Sequence, residues 1–276
     1  YKVSAVPFHF WTPDVYQGAP TTITAYLSIA PKAGAFAMMI RFLNQVFSDG
    51  GALYGIDVVS VSNIPWASIL SLLAVITMTL GNVVALQQNN IKRMLAYSSV
   101  AHAGYMLLAM PVMSSESIYA IMIYLVMYLF MNLGAFFIVI FVKNKTGGET
   151  FEDYKGLGWE MPTVGICMTV FMVSLTGLPP TAGFIGKFYI FASLIKAGSS
   201  FYWLVFAGAI NSVISLYYYL KVVKVMFLDG DKKDVILNPE LPMFTMLMVT
   251  VIPSILLGIY WSPLANWVKS SLIFFL

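Results

Sequence analysis

Apolar and polar positions along this chain fall into long blocks rather than a short alternation. Runs of about 20 or more mostly apolar residues, the length a helix needs to cross ~30 Å of hydrocarbon, are separated by brief polar connectors. The blocks predict helices over 21–45, 66–87, 93–112, 117–142, 162–196, 200–228 and 243–262. The connectors carry Gly and charge. Ser48-Asp49-Gly50-Gly51 and Pro65 bracket the first long loop, Lys143-Asn144-Lys145-Thr146-Gly147-Gly148 opens the second, and Asp229-Gly230-Asp231-Lys232-Lys233-Asp234 opens the third. The expectation is a single all-α membrane domain, 1–276, with about seven transmembrane helices.

One block is too long for a single helix. Residues 162–196 would extend roughly 52 Å at 1.5 Å per residue, beyond what tilt can absorb. Its middle reads Thr176-Gly177-Leu178-Pro179-Pro180-Thr181-Ala182-Gly183-Phe184-Ile185-Gly186-Lys187. Two prolines remove backbone donors and crowd the preceding turn, and Gly177, Gly183 and Gly186 permit close or unusual backbone. The block is therefore expected to break at 176–183. Unwound backbone at that depth should be buried in protein or line a wet cavity. Val6-Pro7-Phe8-His9-Phe10-Trp11-Thr12-Pro13-Asp14 near the start has the same character, with Lys2 just before it. Interrupted segments at corresponding places in two halves point to a transport site built from inverted repeats.

Composition agrees with the pattern: 59% of residues are hydrophobic and only 10% charged, where a soluble domain carries about a quarter. A net charge of +3 spread over loops does not imply nucleic acid. Cys167, the single cysteine, sits inside an apolar run and reads as a core residue. The basic residues orient the chain. Lys92, Arg93, Lys143, Lys145, Lys155, Lys232 and Lys233 fall on one side if the spans alternate, whereas 46–65 and 113–116 hold none. The first set is expected to face the cytoplasm, with the C-terminus opposite. Tyr1 stands where a Met would begin, no signal peptide is visible, and the first residues read like a segment under way. The chain is expected to be the C-terminal part of a longer membrane protein.

Candidate chemistry lies in ionisable groups at depth. Lys32 follows Pro31 in the middle of a run, about 15 Å from either end, farther than a lysine stem can snorkel. Such a group is functional by default, and Lys187 after the Pro-Pro break has the same standing. Lys2 would join them. Arg41, Lys143, Lys196, Lys221 and Lys224 lie nearer span ends, where snorkelling is expected. Every Asp and Glu lies in a loop or at a boundary, so none neutralises Lys32 or Lys187. Burial disfavours the charged form of a lysine left so, which suits it to take up and release protons, and implies a carboxylate partner outside this chain. His9 and His102 are the two histidines. His102, after Tyr97 and Ser98, reads either as a satisfied core histidine or as a relay member. Two histidines and one cysteine are too few for a metal site. There is no phosphate loop, haem motif or catalytic triad, so no redox cofactor is expected here.

Three motifs resemble the antiporter-like subunits of respiratory complex I. They are Val6-Pro7-Phe8-His9-Phe10-Trp11-Thr12-Pro13-Asp14-Val15-Tyr16-Gln17-Gly18-Ala19-Pro20, then Asn90-Ile91-Lys92-Arg93-Met94-Leu95-Ala96-Tyr97-Ser98-Ser99 with His102, and Gly177-Leu178-Pro179-Pro180 with Gly183-Phe184-Ile185-Gly186-Lys187-Phe188. The first is similar to the N-type subunits in particular. The resemblance implies a 14-helix fold of inverted five-helix repeats, of which this chain holds about the last half. It implies a proton path through Lys2, Lys32, Lys187, His102 and His9, with helix breaks at Pro7, Pro179, Pro180, Gly183 and Gly186. It further implies a proton-translocating subunit of an NADH:quinone oxidoreductase in a bacterial inner membrane or its equivalent. NADH, FMN, iron–sulfur clusters and quinone would then sit on other subunits, with the other membrane-arm subunits, lipid, water and protons as partners. The family's glutamate, partner of the first lysine, has no counterpart here. A subunit of a multi-subunit Na+/H+ antiporter is one alternative, although the carboxylate-free spans offer few sodium ligands. A non-pumping structural subunit is the other, although it would carry apolar residues at 32 and 187.

Overall fold

A computed structural model of the chain describes residues 1–47, 65–230 and 239–272. Among these residues every regular element is helical, and the one strand-like feature is an isolated bridge between Asn90 and Thr150. The α-helices are α1 (Trp11–Gly18), α2 (Thr21–Leu27), α3 (Ala30–Phe47), α4 (Trp66–Leu86), α5 (Ile91–Leu108), α6 (Ser115–Thr146), α7 (Pro162–Thr176), α8 (Ala182–Ala197), α9 (Tyr202–Phe227), α10 (Leu241–Ile259) and α11 (Ser262–Ser271). Short 3-10 turns and a single α-helical turn, Leu157–Glu160, complete the connections.

Five helices are long and apolar enough to cross a membrane, and a sixth follows if the bent pair Phe151–Glu160 and Pro162–Thr176 counts as one. This is an all-helical membrane fold. The blocks expected at 93–112 and 162–196 explain why the count falls short of seven. All of α5 except Arg93 and Tyr97 is buried by neighbouring helices, so its surroundings are protein and it can carry Lys92, Ser98, Ser99 and His102. The 162–196 block is two half-helices, α7 and α8, of 15 and 16 residues.

Helix ends follow local chemistry. The Asn90 side chain accepts from Arg93 N and starts α5, and Ser114 does the same for Ser117 N at α6. Gly147, at φ +81°, closes α6. Helix α5 is the buried spine, and α4 lies along it because two glycines remove the side chains between them. A Cβ on Gly81 would sit 2.6 Å from Ala101 N, and one on Gly104 2.5 Å from Met78 N.

The break expected at 176–183 is present. Helix α7 ends in a Schellman pattern, with Leu178 N on Val173 O (3.2 Å) and Gly177 N on Ser174 O (2.9 Å), and Gly177 takes φ +86°. Two features differ from expectation. The 21–45 block is not one continuous helix: it divides at Ser28–Ile29, just before Pro31, which has no N–H for the carbonyl four residues back and crowds it. Leu178, Pro179 and Pro180 are exposed on this chain rather than buried, whereas Lys187 beyond them is buried. Of the expected connectors, 46–65 and 229–242 lie mostly outside the described residues.

Candidate functional site

Helix α5 aligns Ser98, His102 and Tyr105 on one face at helical spacing and places Ser99 beside them. Each is buried and each meets a polar partner from another helix.

Lys32 stands in the first turn of α3, 1% exposed. Its Nζ donates to Ser99 O at 2.6 Å and to Ser99 Oγ at 2.5 Å. One residue back, Ser98 Oγ and the Tyr219 hydroxyl share a hydrogen bond. The Tyr219 hydroxyl lies 3.0 Å from His102 Nε2, and the Tyr124 hydroxyl lies 2.7 Å from His102 Nδ1. Whichever ring nitrogen carries the proton, both are engaged. The ring packs against Tyr128, with centroids 4.9 Å apart, and lies 5.9 Å from the ring of Tyr105, whose face Lys187 covers. His102 therefore faces polar groups between the two lysines.

Lys187, on the second turn of α8, is 4% exposed. Its Nζ donates to Thr176 O at 2.7 Å and to Ser212 Oγ at 3.2 Å, and lies over the Tyr105 ring at 4.3 Å from the centroid. Ser212 in turn donates to the Tyr105 hydroxyl at 3.2 Å. The helix break supplies this seat. A helix C-terminus leaves carbonyls without intrahelical donors and carries partial negative charge, so the end of α7 offers a cation what a carboxylate would otherwise provide. Gly183 and Gly186 set the distances. A Cβ on Gly183 would collide with the Ser174 carbonyl, and one on Gly186 would lie 2.6 Å from the Tyr124 ring.

Among the described residues neither Lys32 nor Lys187 has a carboxylate within ion-pair distance. No group of three or more His, Cys, Asp or Glu could hold a metal ion there either. The remaining expected site residues do not join the cluster. Lys2 is exposed, and His9, buried in the turns before α1 with its ring 4.3 Å from Phe10, is hydrogen bonded to none of these groups. Pro7 lies in the same non-helical segment. Three of the lysines nearer span ends form ion pairs: Lys143 with Glu149 at 2.8 Å, Lys196 with Glu116 at 2.7 Å and Lys224 with Asp229 at 3.2 Å.

Sequence reasoning missed the tyrosines. Tyr105, Tyr124, Tyr128, Tyr218 and Tyr219 are all buried, and the position of their blocks' centres, away from the interfacial belts where Tyr usually gathers, was a usable signal. It also missed a polar pair between α4 and α9, in which Asn82 Nδ2 donates to Asn211 Oδ1 at 3.0 Å and the Tyr218 hydroxyl donates to Asn82 Oδ1 at 2.9 Å. Lys92, read as a boundary charge, is fully buried and donates to Ala19 O at 2.7 Å.

The sequence model of the transmembrane family described as "NADH:quinone oxidoreductase/Mrp antiporter" matches residues 1–215. A curated relative, NADH-quinone oxidoreductase subunit N 2 of Sorangium cellulosum (strain So ce56), is 50% identical over 275 residues, 98% of this chain and 53% of the relative. A chain of respiratory complex I from Thermus thermophilus with bound aureothin aligns with 31% identity and TM-score 0.75 over 96% of this chain and 55% of that one. A chain of the archaeal membrane-bound sulfane sulfur reductase, a respiratory membrane complex, aligns with 26% identity and TM-score 0.85 over 98% of this chain and 52% of that one. The chain spans about half the length of the curated relatives it matches. The match covers the α5 spine with Lys32, His102 and Lys187, and on that footing the chain belongs to the NADH:quinone oxidoreductase/Mrp antiporter transmembrane family.

Proposed function

We propose that this chain is the C-terminal half of a proton-translocating, N-type membrane subunit of an NADH:quinone oxidoreductase, and that its protons move through Lys32, His102 and Lys187. One observation carries the reading. Two buried lysines, neither with a carboxylate partner among the described residues, sit on either side of a histidine whose two nitrogens each meet a tyrosine hydroxyl. A costly intramembrane charge is retained where it does work, and seats made of carbonyls and hydroxyls let a lysine exist with or without its proton. The similarity to N-type subunits supports the same conclusion.

On this reading the chain spans the membrane seven times, with α5 and the α7–α8 pair each counted as a crossing. It forms one half of an inverted-repeat fold, with its lysine-rich loops cytoplasmic and its C-terminus opposite. NADH, flavin, iron–sulfur clusters and quinone are held by other subunits, and this chain contributes translocation alone. A sodium-translocating role would need a cluster of oxygen ligands beside the lysines, and the described interior offers tyrosines and amides rather than carboxylates.

The test is Lys187→Ala in the full-length subunit within its complex, with proton uptake into sealed vesicles normalised to electron transfer and subunit content. Pumping per electron should fall, at least several-fold, with assembly retained. Lys187→Arg, which keeps a charge that is almost never released, should resemble the alanine. Normal pumping by the alanine variant would sink the proposal.

A further inference from the structure

A second line of buried polar groups precedes Lys32 in the chain and begins at the lysine-rich face. Thr21, Thr24 and Ser28 recur at three and four residues along α2 and its C-cap, the spacing of one helix face, and Lys32 follows four residues later in the first turn of α3. Their exposures are 6%, 0%, 0% and 1%, whereas Ile23 and Tyr26 on the opposite face are 49% and 63% exposed. The stripe faces the interior, and it ends at Lys32, since Ala35 and Phe36 follow.

Its outer end meets a carboxylate. Thr21 Oγ1 donates to Glu149 Oε1 at 3.3 Å, and Glu149 is also paired with Lys143 of α6 at 2.8 Å and Lys92 of α5 at 3.4 Å. Among the described residues Tyr154 is a further titratable group beside it, with Asp153 next to Tyr154 in turn. Its side chain is 10% exposed, so it stands at the boundary between solvent and interior. Lys92 also donates to Gln17 O and Ala19 O, which ties the end of α1 to the same point.

Polar atoms short of hydrogen-bond partners flank the inner part of the stripe. Among the described residues the Tyr16 hydroxyl, the Tyr128 hydroxyl and Asn132 Oδ1 are buried without a partner. Asn132 donates its amide to Ser28 Oγ at 2.6 Å, the Tyr16 carbonyl accepts from Thr24 Oγ1 at 2.9 Å, and both tyrosines lie near Ser99, which holds Lys32. Buried polar atoms in folded proteins are nearly always hydrogen bonded, and Asn132 Oδ1 and the two tyrosine hydroxyls beside Ser99 are the atoms a water in the proposed route would engage.

We propose that Glu149 is the proton intake of the Lys32 site, and that Thr21, Thr24 and Ser28 form the hydroxyl stripe along which water carries the proton inward from the lysine-rich face. The carboxylate takes a proton from solvent and passes it to a bridging water. Each hydroxyl or water then accepts one proton as it gives up another, and the neutral Lys32 amine ends as an ammonium with Glu149 a carboxylate again. The stripe deepens the proton-path reading for Lys32, but whether it admits water can be measured apart from pumping.

The experiment uses the full-length subunit in its complex, in oriented vesicles, with its other cysteines replaced and Ser28→Cys introduced. Silver ion, small enough to follow a file of water, is added to one face at a time. The thiol left free is then counted by a maleimide gel shift after denaturation. Protection should develop at least 10-fold faster from the Glu149 face, and adding Thr24→Leu should abolish that advantage. Protection that is equal from the two faces, absent, or unchanged by Thr24→Leu would overturn the route. In the same complexes Glu149→Gln should lower proton uptake per electron several-fold and Glu149→Asp should restore part of it, whereas full uptake in Glu149→Gln would overturn the intake role. Lys32→Ala separates the two readings. Normal pumping in that variant removes the lysine path whether or not silver reaches residue 28, and silent silver beside failed pumping removes the stripe alone.

Discussion

A charge inside a membrane protein is held by whatever potential its neighbours supply. For Lys32 and Lys187 the suppliers are neutral: a carbonyl and hydroxyl of α5 in one case, the open end of α7 and a serine in the other. Glu149 at the boundary is the contrasting case. Burial pushes its carboxyl up, but the hydrogen bond from Lys143 and the charges of Lys92 and Lys143 outweigh that and hold it below the ordinary 4.5. A carboxylate whose folded value is depressed stabilises the fold fully above its unfolded value, and that contribution fades as pH falls through the folded one. Glu149→Gln should therefore lower the melting temperature of the detergent-solubilised protein at neutral pH. The gap to the parent should close below about pH 4. A gap that stays the same at pH 3 would show that the clasp does not act through charge.

At the scale of elements, the break between α7 and α8 is the device that places Lys187. Two half-helices can meet only if nothing stands between the end of one and the start of the other. Gly183 satisfies this: its N–H donates to Ser174 Oγ at 3.2 Å, and a Cβ there would overlap the Ser174 carbonyl while approaching Met131 Sδ to 3.2 Å. Gly183→Ala should destabilise the subunit by about 1–3 kcal/mol through overpacking. Gly34→Ala, where nothing lies within 4 Å of the added carbon, should be neutral or mildly stabilising in its helix. Thermal unfolding of the two variants decides the matter, and equal melting temperatures would mean that the close approach does not govern this junction.

The whole molecule presents an apolar exterior around a polar spine. Helix α9 turns Phe206, Ile210, Val213, Tyr217 and Leu220 outward, all more than 40% exposed, as suits lipid or neighbouring apolar surfaces. Under the proposed seven crossings the turn near Lys155 and the turn near Ser200 emerge on opposite sides. Cysteines placed at these two exposed positions should be labelled by an impermeant reagent from opposite faces of oriented vesicles, Lys155→Cys from the cytoplasmic one. Labelling of both from the same face would overturn the topology and the orientation drawn from the basic loops.

The order of helical blocks, the broken 162–196 segment and the standing of Lys32, His102 and Lys187 as interior polar groups were legible in the chain, because each depends on local facts. Run length against bilayer thickness, proline's missing donor and a charge far from any polar connector need no knowledge of the fold. The division of the 21–45 block is also a local proline effect, one that a continuous apolar pattern conceals. What the chain could not reveal is which groups meet. Lys32 reaches Ser99 across 67 residues, His102 reaches Tyr219 across 117, and Thr21 reaches Glu149 across 128. Tyrosines at apolar spacing look like packing until helix α5 turns one face to them. Periodicity states which face of a helix is buried. Only the rotation and register of one helix against another decide which polar groups share that interior, and those are set by packing along the whole length of each pair.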